Sequence, residues 1–239
     1  MTDFYSQRNQ LIFEFFRDSS SQFDNFITIP KNREIIDALK NFAGADSQKL
    51  VYIFGESGVG KTHLLHAAVN ILDKRTIYLP LDKLESFGLK FFDGLEDVDI
   101  IAIDGCDFVA GNRQYERSFF SLLNRVLSSS SRLLVTGKKH PKHIEFLLPD
   151  ITSRLCFGLV YQIHSPPDER KQEILQSIAN RKGLVVDEKV LNYILDRTDR
   201  DMKSLVNLFE RLDEFCLKLK RLPTVPLVKK FLTESNFSP

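Results

Sequence analysis

A chain of 239 residues with 43% hydrophobic and 27% charged side chains is long enough to bury one sizeable core, and these proportions exclude a disordered bulk. The formal net charge of +1 supplies no whole-molecule field for nucleic acid, so any such contact would have to be local. No apolar run approaches the roughly 18 to 20 residues of a membrane span, and the N-terminus lacks the order of a signal peptide, so the chain reads as cytoplasmic with no membrane partner.

The first 22 residues read as a tail, in which the apolar peptide Gln10–Phe16 is followed by the polar stretch Arg17–Gln22 with three consecutive Ser. From Phe23 to about Tyr161, short apolar runs alternate with helical patterns, which predicts a parallel sheet covered on both faces by helices. The predicted strands are Leu50–Phe54, Thr76–Leu79, Asp99–Ile103, Arg132–Thr136 and Leu159–Ile163. Helical spacing marks Lys61–Leu72, Tyr115–Leu127 and the segment before Arg154. After Pro166 and Pro167 the pattern changes to Asp168–Arg181, Glu188–Arg197, Met202–Lys218 and Val225–Leu232, all amphipathic helices, with Gly183 placed as a stop signal. The expected organisation is therefore a tail at 1–22, an α/β nucleotide-binding domain at 23–165 and a helical lid at 166–239.

Three cysteines, Cys106, Cys156 and Cys216, stand far apart and in no metal-ligand spacing, and read as small buried hydrophobes. His63 and His66 share one predicted helix with no acidic residue between them and read as structural.

Gly55-Glu56-Ser57-Gly58-Val59-Gly60-Lys61-Thr62 fits G-x-x-x-x-G-K-[ST] at every position, after a predicted strand and at the start of a predicted helix. Glycines let backbone N–H groups wrap phosphates, and a helix N-terminus adds partial positive charge. Lys61 is placed to bridge the terminal phosphates and Thr62 to offer a hydroxyl to Mg²⁺. The run Ile100-Ile101-Ala102-Ile103-Asp104 ends a buried strand on an acid, making Asp104 the second candidate Mg²⁺ residue. An efficient ATPase of this kind carries another carboxylate next, to orient the attacking water. Here that position is Gly105, and Asp107 lies too far along to substitute simply, so slow intrinsic hydrolysis is expected.

Phe23-Asp24-Asn25-Phe26-Ile27, followed by GESGVGKTHLLHA, resembles the AAA+ module of the bacterial replication initiator DnaA. The resemblance spans roughly residues 23–232 and implies that Phe26, Ile27 and His63 join the P-loop in holding ADP or ATP. Thr152-Ser153-Arg154-Leu155 with Gly158 is similar to the arginine-finger segment of that module, and Leu133–Pro141 to its sensor-one strand and exit. DnaA continues into a helix-turn-helix domain, whereas this sequence ends at Pro239. The short form, the tail and Leu79-Pro80-Leu81-Asp82-Lys83 resemble the Hda family, which acts in regulatory inactivation of DnaA.

In that family a tail peptide binds the DNA polymerase III sliding clamp. Gln10, Leu11, Phe13 and Phe15 form an imperfect version of it, and a packed N-terminal arm or edge strand is the other reading of the same residues. Two departures stand out. Lys203 replaces the sensor-two arginine of the lid, giving a point charge in place of a planar fork, and Lys138 stands where DnaA has an acidic residue.

The resemblance implies a nucleotide-binding regulator of replication initiation that meets DNA only through the clamp and offers Arg154 in trans to the ATP of DnaA. A helicase loader of the DnaC kind, acting on single-stranded DNA, is the alternative, for which the small basic clusters Lys138-Lys139 with Lys142, and Lys218 with Lys220-Arg221, are the available surface. Self-association into a homodimer through Arg154 stays open.

Overall fold

The computed structural model describes residues 21–26, 28–42, 44, 48–72, 75–88, 92, 95, 98–181, 183–198 and 202–234. The tail peptide with Gln10, Leu11, Phe13 and Phe15 lies outside the described residues, as does Ile27. The chain forms two compact units, one of residues up to Glu56 with Gly60–His164, the other of Ser165 onward with Ser57–Val59.

In the first unit, β1 (Leu50–Phe54), β2 (Thr76–Pro80), β3 (Ile100–Asp104), β4 (Arg132–Gly137) and β5 (Leu159–Gln162) form one sheet. All pairs are parallel and the spatial order is β2-β3-β4-β1-β5. The three inner strands are buried along most of their length, as unbroken apolar runs require when helices cover both faces. β5 lies at one edge, with Leu159 and Gln162 exposed.

Every predicted run is a strand; β1 has the predicted bounds, and the other four differ by one residue at one or both ends. β3 begins at Ile100 because the Asp99 carboxylate accepts from the Arg75 N–H at 3.1 Å, and β5 stops before Ile163.

The helices of this unit are α1 (Arg33–Lys40), α2 (Lys61–Ile71), α3 (Leu84–Phe87), α4 (Arg113–Ser128) and α5 (Pro149–Leu155). Side chains alternate across a strand, so odd positions of β1, β3 and β4 divide between the two faces by register. One face puts Leu50, Tyr52, Ile101, Ile103, Leu133 and Val135 in a cluster with Phe119, Leu122, Leu123 and Val126 of α4 and Ile151 and Leu155 of α5. The opposite face, with Tyr78, Ala102 and Leu134 in register, receives α2, whose His66 ring lies 4.2 Å from that of Tyr78. Helix α1 was not among the predicted elements, although Ile35, Ile36 and Leu39 form its buried stripe.

The second unit contains no strand among its described residues. Its helices are α6 (Asp168–Arg181), α7 (Glu188–Leu195), α8 (Met202–Leu219) and α9 (Val225–Glu234). Leu175, Ile194, Leu205, Phe209, Leu212 and Val228 are fully or almost fully buried in its core. Helix α7 ends earlier than predicted, since Arg197 turns back to the Ile194 carbonyl and lays its guanidinium over Tyr193 at 4.5 Å. At the end of α6, Gly183 takes φ +70° and the Leu184 N–H reaches the Ala179 carbonyl, closing the helix as its position predicts. Among the described residues no helix is long and apolar enough to cross a membrane.

Candidate functional site

The loop between β1 and α2 is the motif Gly55–Thr62. Gly58 and Gly60 have φ +81° and +96°, left-handed conformations of the kind that let backbone N–H groups of such a loop serve an anion. The Phe26 ring closes over Gly60, with Cε2 only 2.7 Å from where a side chain there would begin, so any other residue would have to displace the ring as well as adopt a strained backbone. Lys61 donates to the carbonyls of Gly55 at 2.7 Å and Glu56 at 2.6 Å. Burial lowers its pKa, against the opposing pull of Asp104 and Asp107.

The segment before α1 is strapped to α2. His63 Nε2 donates to the Gln22 carbonyl and Asn70 Nδ2 to that of Ser21, each at 2.9 Å. Asn32, 1% exposed, donates to the His164 carbonyl and accepts from its N–H, pinning the same segment to the end of β5. Phe26 thereby stands 5.9 Å from the His63 ring, beside the loop.

Asp104 ends β3 on the face that α2 covers, two residues beyond Ala102. Its Oδ2 accepts from Thr62 Oγ1 at 2.7 Å and from the Tyr78 hydroxyl at 2.9 Å, and Oδ1 accepts from Thr136 Oγ1. Thr136 Oγ1 accepts in turn from the Gly105 N–H at 2.9 Å. Burial and the Asp104 charge push the Tyr78 phenol far up, keeping it a donor. Thr62 and Asp104 thus stand together as a hydroxyl and a carboxylate. Among the described residues no group of three or more His, Cys, Asp or Glu is placed to hold a metal. A Mg²⁺ that takes one or two protein oxygens and completes its shell with phosphate and water fits such a pair.

Beyond Asp104, Gly105 adopts φ +80° and the chain enters a turn at Cys106–Val109. Asp107 faces the exit of β4, where its Oδ2 accepts from the Lys138 N–H at 2.7 Å, and Lys138 Nζ lies 5.5 Å from the Phe108 ring centre. The buried Tyr52 hydroxyl donates to the Lys139 carbonyl at 2.9 Å, tying β1 to the same exit. Cys106 and Cys216 are buried as expected, while Cys156 is only partly so. Burial pushes the Cys106 thiol up, so it stays protonated and inert.

Arg154 lies in the last turn of α5, exposed, and its guanidinium makes no hydrogen bond or ion pair among the described residues. The helix beneath it is held firmly. Glu116, fully buried on α4, accepts from the N–H groups of Gly111 at 2.8 Å, Leu147 at 3.0 Å and Leu148 at 2.8 Å. Leu147 and Leu148 lead directly into α5, and Gly111 follows the turn after Asp104. One carboxylate therefore fixes the entry to the Arg154 helix against the chain leaving the Asp104 strand.

The structure brings Phe26, Gly55, Glu56, Gly60, Lys61, Thr62, His63 and Asp104 together in the first unit, with Ser57, Gly58 and Val59 completing the loop. Lys203 lies at the start of α8 in the second unit. Sequence reasoning missed Tyr78, Thr136 and Glu116. Register would have found the first two, because Tyr78, Thr136 and Asp104 share one face of adjacent strands.

Residues 18–162 match the family model of the bacterial DnaA ATPase domain, and residues 168–232 match that of the Hda lid domain. An uncharacterized protein of Haemophilus influenzae is 36% identical over 205 residues, covering 84% of this chain and 89% of that protein. Domain III of the Thermotoga maritima replication initiation protein DnaA superposes with a TM-score of 0.78 at 21% identity, covering 91% of this chain and 98% of the other. AMPPCP-bound DnaA from Aquifex aeolicus gives 0.66 at 23% identity, covering 82% of this chain and 66% of the other. The Holliday junction branch migration motor RuvB of Thermotoga maritima gives 0.65 at 17%, covering 90% and 72%. Two consecutive family matches, the Haemophilus relative and a sheet ordered β2-β3-β4-β1-β5 leave one assignment: the chain belongs to the family of the bacterial DnaA ATPase domain, as a DnaA-related AAA+ protein of the Hda type.

Proposed function

We propose that this chain is a regulator of replication initiation that holds ADP or ATP, docks on the DNA polymerase III sliding clamp through its tail, and presents Arg154 to the ATP of DnaA. The observation that carries the reading is a contrast between two charged residues of one unit. Asp104 is saturated with donors from its own chain, whereas Arg154 is exposed with no partner among the described residues.

The nucleotide phosphates enter the concavity of Gly55–Thr62, and Lys61 exchanges the Gly55 and Glu56 carbonyls for phosphate oxygens. Phe26 lines the base side, and Ile27, outside the described residues, is assigned there by the family resemblance alone. Thr62 and Asp104 would hold Mg²⁺, which when bound would neutralise part of the phosphate charge. The left-handed Gly105 offers no carboxylate for the attacking water, so the bound nucleotide serves mainly to fix this chain's own conformation.

Hydrolysis belongs to the partner. Water attacks the γ-phosphoryl group of the ATP on DnaA, the bond to the ADP oxygen breaks, and the products are ADP and phosphate. Arg154 donates to the oxygens on which charge accumulates. An arginine supplied in trans is worth about 10³- to 10⁵-fold in rate, about 4 to 7 kcal/mol of barrier, in well-measured phosphoryl transfers. The clamp tethers the two proteins on DNA through Gln10, Leu11, Phe13 and Phe15 and raises their effective concentration.

Single-turnover hydrolysis by ATP-loaded DnaA, with clamp on DNA, tests the reading. The Arg154→Ala chain should give no more hydrolysis than DnaA alone, and full stimulation by that variant would remove the residue from the mechanism. Replacing Gln10 and Phe13 together by Ala should abolish clamp retention with nucleotide binding intact, and unchanged retention would end the tail assignment.

A further inference from the structure

Arg154 shares its turn with an unusual neighbour. Phe157 is 76% exposed, more than any other large apolar side chain among the described residues. Its N–H donates to the Arg154 carbonyl at 3.2 Å, and the Cys156 N–H donates to Thr152 at 2.9 Å, so guanidinium and ring leave the same closing turn of α5. In the same stretch Ile151 and Leu155 are completely buried. The turn is rigid, because Gly158 passes flush over the start of β1. A Cβ at Gly158 would sit 2.2 Å from the Leu50 carbonyl oxygen, so the backbone after Phe157 is fixed against the sheet and the ring is held in water.

An exposed Phe beside an unpaired Arg is the pairing that dominates protein interfaces, where aromatic and Arg side chains carry most of the binding energy. The guanidinium calls for an anion. A P-loop module with a bound triphosphate supplies one at its edge, and the ring one turn-residue away requires an apolar recess on that same partner.

We infer that Phe157 is the apolar anchor that seats this chain on a second, nucleotide-loaded P-loop ATPase module, so that Arg154 arrives at the γ-phosphoryl group already oriented. This rests on the reading of Arg154 given above. The two residues then act at different stages. Phe157 contributes equally before and during the chemical step, whereas Arg154 gains strength only as charge develops.

The experiment titrates the full chain into ATP-loaded DnaA with clamp on DNA and reads the maximal rate and the concentration for half of it. Phe157→Ser should raise the half-maximal concentration tenfold or more, about 1.4 kcal/mol of association, at an unchanged maximal rate and unchanged melting temperature. Phe157→Trp should restore it. Ile71→Ser, which alters a side chain 48% exposed at the end of α2, should change neither value. An unmoved half-maximal concentration for Phe157→Ser, or a fall in maximal rate alone, overturns the anchor while Arg154→Ala still abolishes stimulation and leaves the function standing. Full stimulation by Arg154→Ala removes both. A Phe157→Ser chain that melts far below the wild type also overturns the anchor, since the ring would then serve its own fold.

Discussion

Asp104 and Arg154 carry opposite charges at the ends of β3 and α5 of one unit, and the chain treats them in opposite ways. Asp104 has three hydroxyl donors, from Thr62, Tyr78 and Thr136, and no freedom to turn. Arg154 has no side-chain partner among the described residues, yet the backbone that carries it is anchored by Glu116. A group that serves a ligand of its own chain gains from locked geometry. A group that serves a neighbouring molecule needs a fixed base and a free tip, because a guanidinium already paired at home would have to break that pairing to act.

The sharpest way to break the comparison is to loosen that base. Glu116→Ala removes a buried carboxylate that serves three N–H groups, of which those of the exposed Gly111 and Leu147 can turn to water, so the loss should be about 1 to 3 kcal/mol. Urea unfolding would read this as a lower midpoint at unchanged slope, and a loss below about 0.5 kcal/mol would reduce Glu116 to an incidental contact. Glu116→Gln should fall between, because an amide presents only one acceptor and must face at least one N–H with its own.

Loosening the other end acts on binding. Lys61→Ala removes charge-assisted hydrogen bonds worth roughly 2 to 3 kcal/mol, about 30- to 150-fold in nucleotide affinity. Calorimetry with ADP and Mg²⁺ would detect it, and equal affinity would contradict the phosphate role.

Adding the missing acid should do little. At Gly105, φ +80° strains any side chain, and a Cβ would meet the Phe108 ring at 2.9 Å. Gly105→Glu is therefore expected to raise intrinsic multiple-turnover hydrolysis less than tenfold while lowering stability by about 1 to 2 kcal/mol. A hundredfold rise would show that the backbone can accommodate the acid after all.

The smallest effect concerns protons. Burial lowers the Lys61 pKa, so as pH rises through that lowered value toward the ordinary 10.5 the nucleotide-free fold releases a proton that the unfolded chain retains. Its stability should rise across that window. Phosphate favours the ammonium, so nucleotide affinity should move the other way, with proton uptake on binding. Calorimetry in buffers of differing ionisation heat at alkaline pH measures the uptake, and none at any pH would contradict the shift.

The sequence made some of this legible and hid the rest for physical reasons. The loop Gly55–Thr62 depends on local backbone needs that only particular residues meet, so its pattern stands in the sequence, and the five strands read out because burial on both faces demands continuous apolar runs. Glu116 was invisible. It occupies the first turn of an amphipathic helix where an acid is ordinarily a solvated charge, and two of its three partners lie 31 and 32 residues away. Tyr78 was hidden differently, since a Tyr in a strand is ordinary and only the β2–β3 register directs its hydroxyl to Asp104. Helix α1 could have been found from Ile35, Ile36 and Leu39, though at 8 residues its stripe is short.

The central claim is that this chain turns over a neighbour's nucleotide and not its own. DnaA loaded with γ-labelled ATP, with clamp on DNA, tests it by exchange of the two charged residues in separate variants. The account predicts that Asp104→Asn, which disables hydrolysis within this chain, leaves label release intact once the variant is saturated with ADP, whereas Arg154→Ala stops it. Release that survives Arg154→Ala and disappears with Asp104→Asn would contradict the account.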